Sequence, residues 1–281
     1  MKRLILLLFT FFSLSVLAQD NIKFQYWALN VPDKAAAAQW YKNTLGFNII
    51  NEGNDTYVSD AGNNFRIKFF SDPTQKNNYK DLSFDACHIA LESDSMRYWS
   101  QKILKAGGTY NTQPRLNAIG DAVIDMRDPN GVMIQLIYRV RPYYTHTAGS
   151  LRFEHLALNM SNNKDAALWY VEFMGMTIPW SKDPADSTRT VSNYRIPYVG
   201  DPGRKMAMEF LTTGNERDYT KLGFGVSYIT FEVKDAHTLA KNMVRGGAKQ
   251  IGDPQKNSTG SLVIRMRCPW GNMLELVEGK K

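Results

Sequence analysis

The chain repeats itself, and that repeat constrains its fold more than any local pattern. Asp121 to Ile137 reads DAVIDMRDPNGVMIQLI, and Ser261 to Val277 reads SLVIRMRCPWGNMLELV. Val123, Ile124, Met126, Arg127, Pro129, Gly131, Met133 and Leu136 recur as Val263, Ile264, Met266, Arg267, Pro269, Gly271, Met273 and Leu276, at a constant offset of 140 residues. Internal similarity at this spacing means a duplicated unit, so each functional position can be read twice.

Residues 1–19 read as a signal peptide. Lys2 and Arg3 precede an apolar run from Leu4 to Leu17, and Val16 and Ala18 are small residues where an exporting peptidase cuts. The run is too short for a membrane span, so no stable membrane anchor is expected. The reading is an exported protein, periplasmic or secreted, whose mature chain starts near Gln19 or Asp20. The remainder is long enough for two domains, each with its own core. The 34 Lys and Arg exceed the 27 Asp and Glu only mildly, and they are scattered. A nucleic-acid binder needs a basic stripe, so that class is disfavoured. A small anionic ligand is compatible, and so is a homo-oligomer. Cys87 and Cys268 occupy non-equivalent positions of the repeat, which reads as two buried thiols rather than a disulfide framework. No Cys-x-x-Cys, phosphate loop or Gly-x-Ser-x-Gly occurs.

Each half divides again. A strand over Phe24–Val31 precedes a helix over Lys34–Thr44, capped by Asp33 and ended by Gly46. Extended segments follow at Phe47–Glu52, Thr56–Ser59 and Phe65–Phe70. The next unit has a strand at Ala86–Glu92, a helix at Ser95–Ala106 and strands ending with Ala122–Arg127 and Met133–Arg139. The turn between those last strands is Asp128-Pro129-Asn130-Gly131. The second half repeats the plan, with strands at Phe153–Met160, Met206–Leu211 and Val226–Val233 and a helix at Ala236–Val244. Trp40-Tyr41 recurs as Trp169-Tyr170, most simply as the core face of each first helix. The fold class is therefore α+β: four βαβββ units in two domains, 20–144 and 151–281, joined by a linker at 145–150.

This pattern resembles the vicinal oxygen chelate superfamily, which includes glyoxalase I, extradiol dioxygenases, and fosfomycin and bleomycin resistance proteins. The resemblance is carried by Asn30-Val31-Pro32-Asp33 through Leu45-Gly46-Phe47, by His88-Ile89-Ala90-Leu91-Glu92, and by the two hairpins with Gln135-Leu136 and Glu275-Leu276. It covers essentially the whole mature chain. It implies a cup made of two units around a divalent metal, with ligands on the first and last strand of each unit.

Carried over one at a time, those positions fall on Tyr26 and Lys68, His88 and Gln135, His155 and Glu209, and Tyr228 and Glu275. Forty-seven residues separate both His88 from Gln135 and Tyr228 from Glu275. The unit holding His155 is longer, and its excess lies between Thr177 and Lys205, where a loop could cover a site. The first half alone offers Tyr26, Lys68, His88 and Gln135, which is no metal site. The second half alone offers His155, Glu209 and Glu275, with Tyr228 a poor match. Exchange between halves gives His88, Gln135, His155 and Glu209, a set suited to iron, zinc, nickel or manganese. It leaves Tyr26, Lys68, Tyr228 and Glu275, where Lys68 would pair with Glu275. Both the exchanged set and the set within the second half stay open. His237 reads as solvated and His146 as an incidental linker residue.

The resemblance implies one divalent metal acting as a Lewis acid on a small substrate with neighbouring oxygens, in a lyase, isomerase or dioxygenase reaction. Glu209 is the carboxylate available as catalytic base in the exchanged site, because Gln135 cannot take a proton. The alternative is a metal-free small-molecule binding protein of the bleomycin-resistance type, with a groove lined by Trp27, Trp180, Tyr194 and Tyr198.

Overall fold

A computed structural model describes residues 22–63, 65–74, 79, 88–117, 120–139, 149–177, 198–202, 206–212 and 225–279. The leader, Cys87, His146, Trp180, Tyr194, residues 145–148 of the linker and most of the long Thr177–Lys205 stretch lie outside these residues.

The first unit runs β1 (Ile22–Asn30), α1 (Lys34–Leu45), β2 (Asn48–Glu52), β3 (Asp55–Ser59) and β4 (Arg66–Phe70). The second runs β5 (His88–Ser93), α2 (Met96–Lys105), β6 (Thr109–Tyr110), β7 (Arg115–Leu116), β8 (Ala122–Arg127) and β9 (Met133–Tyr138). The third runs β10 (Leu151–Asn159), α3 (Asn163–Met174), β11 (Tyr198–Gly200) and β12 (Ala207–Leu211). The fourth runs β13 (Ser227–Val233), α4 (Ala236–Arg245), β14 (Lys249–Gln250), β15 (Gln255–Lys256), β16 (Leu262–Arg267) and β17 (Met273–Glu278). In the second and fourth units the middle strand is broken in two. Both of its pieces pair with one partner, β8 or β16.

The helix boundaries follow from their caps. Asp33 accepts hydrogen bonds from the backbone N–H groups of Ala35 and Ala36, both at 2.9 Å. Gly46 closes α1 at φ 74°, a left-handed conformation that glycine adopts without steric cost. Asn162 and Gly175 do the same for α3, so the cap pattern is itself repeated.

The strands assemble into two sheets that do not follow the halves of the chain. One has the order β14-β16-β17-β13-β1-β4-β3-β2, joining the first and fourth units through the antiparallel β1–β13 pair. The other has the order β11-β12-β10-β5-β9-β8-β6, joining the second and third units through β5 and β10. The helices pair differently. The Trp40 indole donates to the Ala106 carbonyl at the end of α2, and Trp169 donates to Gly246 at the end of α4, both at 2.7 Å. Sheets thus join units 1 with 4 and 2 with 3, while helix contacts join 1 with 2 and 3 with 4. The four units close into a ring.

One hydrophobic core runs through the helices and the sheet faces turned toward them, including Leu29, Ile89, Leu91, Leu156 and Phe231. Alternation along each strand turns the next residues to the opposite face. There stand Tyr26 and Ala28 on β1, His88 and Ala90 on β5, and His155 and Ala157 on β10. The repeated hairpin closes part of the core. Asp128 is buried and accepts backbone N–H groups from Asn130 and Val132 at 2.8 Å. Burial pushes its carboxyl up to about 6. The native state therefore holds the proton more tightly than the unfolded chain, whose Asp titrates near 3.9. The stabilisation is full below that value and is lost as pH rises through about 6. Asp128→Asn keeps the acceptor without the charge. It is expected to flatten this fall and raise stability at pH 7.5 by roughly 2 kcal/mol. Urea unfolding at pH 4.5 and 7.5 checks this, and an unchanged pH dependence would refute it.

Candidate metal centre

The register of the second sheet decides which side chains meet. Across its strands Glu209, Ala157, His88 and Met133 lie side by side, and in the next row stand His155, Ala90 and Gln135. Both rows face the same side, away from the helices. The two alanines form a low floor between the larger residues. A bulge in β10 between Phe153 and His155 re-aims the chain at this point, as bulges do next to functional sites.

His88, His155 and Glu209 converge there. All three are buried, and their donor atoms lie within 4.8 Å of one another. Nε2 of His88 is 3.3 Å from Nε2 of His155. The Glu209 Oε2 is 3.0 Å from the His155 nitrogen and 3.8 Å from that of His88. The other carboxylate oxygen accepts the Tyr198 hydroxyl, whose ring sits edge-on to His155. On the far side of His155, Nδ1 meets the Glu154 carboxylate. Glu154 in turn pairs with Arg139 at 2.9 Å.

The electrostatics favour added positive charge. Burial pushes the His155 imidazole down, but the Glu209 and Glu154 carboxylates outweigh this and raise its pKa to about 10. Burial pushes Glu209 up, and the imidazoles of His155 and His88 with the Tyr198 hydroxyl reverse it, holding the carboxyl below its ordinary range. Tyr198 is pushed well above the usual phenol value by burial and by these carboxylates, and so stays a donor. Two imidazoles and a carboxylate, held within a few ångströms in a buried, net-acidic pocket, form a donor set that could hold a divalent metal.

Three residues of the exchanged set, His88, His155 and Glu209, are thus brought together. Gln135 stands in the His155 row with its amide nitrogen donated to Asp125 at 2.9 Å, and Asp125 is itself held by Arg115 at 2.7 Å. Glu275 belongs to the other sheet, so the set within the second half, His155, Glu209 and Glu275, is not assembled. The Glu275 carboxylate accepts the Tyr26 and Thr230 hydroxyls and pairs with Arg265, each at 3.3 Å. The expected pair between Lys68 and Glu275 is corrected as well. Lys68 takes Asp55 at 2.7 Å and lies over the rings of Tyr26 and Tyr57. Asp55 is two strands from β1 but within reach of a long lysine stem, and Arg265 directly faces Glu275 across the ladder. Rings of Tyr26, Tyr57, Tyr228 and Phe70 fill the space where the other sheet holds its imidazoles.

Of the four aromatic residues expected to line a groove, Trp27 and Tyr198 are among the described residues. Trp27 points into the core and donates to Ser227 at 2.8 Å, because its strand parity is opposite to that of Tyr26. Tyr198 belongs to the centre itself. His237 is exposed on α4. Cys268 is buried, and burial raises its thiol to about 11. Glu154, Arg139 and the contact of Tyr198 with Glu209 were not singled out from sequence. Glu154 precedes His155, and in an unbulged strand it would face away.

Among solved structures, glyoxalase I from Zea mays shares the fold with a TM-score of 0.66 at 15% identity, covering 92% of each chain. A putative dioxygenase from Bacillus subtilis subsp. subtilis str. 168 aligns with a TM-score of 0.59 at 12% identity, over 93% of this chain and 86% of that one. No curated protein matches by sequence. The sequence profile of the Glyoxalase/Bleomycin resistance protein/Dioxygenase superfamily matches residues 23–136 and again 152–276. With both repeats matched, over most of its length, this chain belongs to the glyoxalase/bleomycin resistance protein/dioxygenase superfamily.

Proposed function

We propose that the protein binds one divalent metal through His88, His155 and Glu209, with Gln135 as a further ligand, and acts on a small substrate carrying neighbouring oxygens. The observation that supports this reading most is the buried convergence of two imidazoles and a carboxylate from different repeats. When bound, the metal supplies a Lewis acid for two adjacent substrate oxygens. Iron, zinc, nickel and manganese all suit this donor set.

The protein's own residues do the rest. Tyr198 holds one oxygen of Glu209 and so sets the direction of the other. Glu209 would be the carboxylate that moves a proton on the substrate. A lyase, isomerase or dioxygenase reaction fits these parts. The basic-then-apolar N-terminus supports export to the periplasm or medium as the setting. The other superfamily mode, metal-free small-molecule binding, would leave two buried imidazoles and a glutamate without a ligand role.

The test is elemental analysis of the purified mature protein, followed by assays on enediol, α-keto hemithioacetal and catechol substrates. One metal per chain and turnover that is lost with chelator would support the reading. No metal after reconstitution with any of the four ions would overturn it.

A further inference from the structure

The centre is backed by a buried ionic cluster that nothing in the reading above requires. Arg139 lies among three carboxylates. Its Nη2 meets Glu154 at 2.9 Å, its Nη1 meets Glu92 at 3.1 Å and its Nε meets Asp121 at 3.1 Å. Its side chain is 7% exposed, and those of Glu92 and Glu154 are 1% and 6% exposed. Glu154 is the bulge residue of β10, and its second oxygen takes His155 Nδ1.

The repeat supplies an internal control. At the equivalent positions of the other sheet, Gln25 stands for Glu154, Gly279 for Arg139 and Ser261 for Asp121, while Glu232 matches Glu92. There β1 carries the same bulge, between Phe24 and Tyr26. Gln25 simply donates to Glu232 at 3.2 Å. So the backbone device is present in both sheets. The carboxylate and its guanidinium occur only behind the cup that has a histidine in place of Tyr26. Buried ion pairs are weak stabilisers, so fold stability alone does not account for a cluster confined to one of the two sheets.

We propose that Glu154 is a positioning residue for His155, and that Arg139 holds Glu154 in place as a carboxylate. With Nδ1 turned to Glu154, the ring orientation is fixed and Nε2 is directed at the space it shares with Glu209 and His88, where its lone pair would serve a bound metal. A carboxylate behind a ligating imidazole also raises its basicity. This rests on the metal reading above and extends it to a residue that would touch neither metal nor substrate.

The test compares Zn²⁺ affinity, by chelator competition, in the wild type, Glu154→Gln and Gln25→Glu. Glu154→Gln is expected to weaken binding roughly 10- to 100-fold, the usual cost of losing an outer partner. Gln25→Glu in the other sheet should leave it unchanged. Histidine ¹⁵N spectra of the zinc-loaded wild type provide the second readout, which does not depend on the variant folding. His155 should show a protonated Nδ1 and a zinc-bound Nε2. Equal affinity in Glu154→Gln, or zinc on Nδ1 of His155, would overturn the positioning role while leaving the metal reading intact. Failure of the wild type to take up zinc or any other ion would overturn both.

Discussion

Replacing His88 or His155 with alanine is expected to abolish stoichiometric metal binding, although the two residues lie 67 positions apart in different halves of the chain. Each supplies one of the three buried His and Glu donors that converge among the described residues. Losing a ligand should therefore weaken binding by more than the roughly 10- to 100-fold seen for outer-shell partners. Glu275→Gln, on the other sheet, should leave metal content unchanged. Measuring metal per chain in the three variants checks this. Retention in His88→Ala combined with loss in Glu275→Gln would contradict the register of β5 against β10. His88→Ala should also leave thermal stability largely intact in the metal-free protein, because it removes a polar ring from the cup rather than from the core.

The largest stability loss is expected from Trp169→Ala. The ring is 5% exposed, stands against Tyr170, Phe173 and Trp270, and donates to the Gly246 carbonyl at 2.7 Å. The helices approach so closely here that a Cβ on Gly246 would lie 2.5 Å from the indole nitrogen. Truncation opens a cavity at the junction of α3 and α4 and strands the carbonyl. Core Trp or Phe to Ala changes cost about 3–5 kcal/mol, and this one should fall in that range. Chemical unfolding monitored by circular dichroism measures it, and a loss under about 1 kcal/mol would contradict the packing described.

Much of this architecture was legible in the chain. The 140-residue repeat, the Asp33 cap, the left-handed glycines and the Asp128–Gly131 turn are local signals, and each sits where local chemistry requires it. The parity of β5 and β10 was also readable, because apolar residues alternate with His88 and His155. The joining of units across the halves was reached by sorting ligands rather than by pattern. One premise of that sorting was wrong, since Lys68 finds Asp55 and not Glu275. Side-chain reach decided that pair, and strand position alone does not encode reach. Glu154 was hidden for a different reason. A bulge changes which face a residue takes, and alternation assumes that no bulge is present. Glu154 aligned with Gln25, and Arg139 with Gly279, carry the difference between the two cups in the sequence itself.

The ring of four units also implies an order of events as the chain folds. The sheet that carries His88, His155 and Glu209 uses units 2 and 3, which are neighbours in sequence, so its central pairing can close early. The other sheet joins the first strand to almost the last, and Trp27 waits for a Ser227 that lies 200 residues away. Such distant pairing is slow, and it leaves the β13 side of β1 unpaired in the meantime, an edge open to wrong partners. The cup with the imidazoles thus belongs to the part that forms promptly. The aromatic-filled cup is the clasp that closes last.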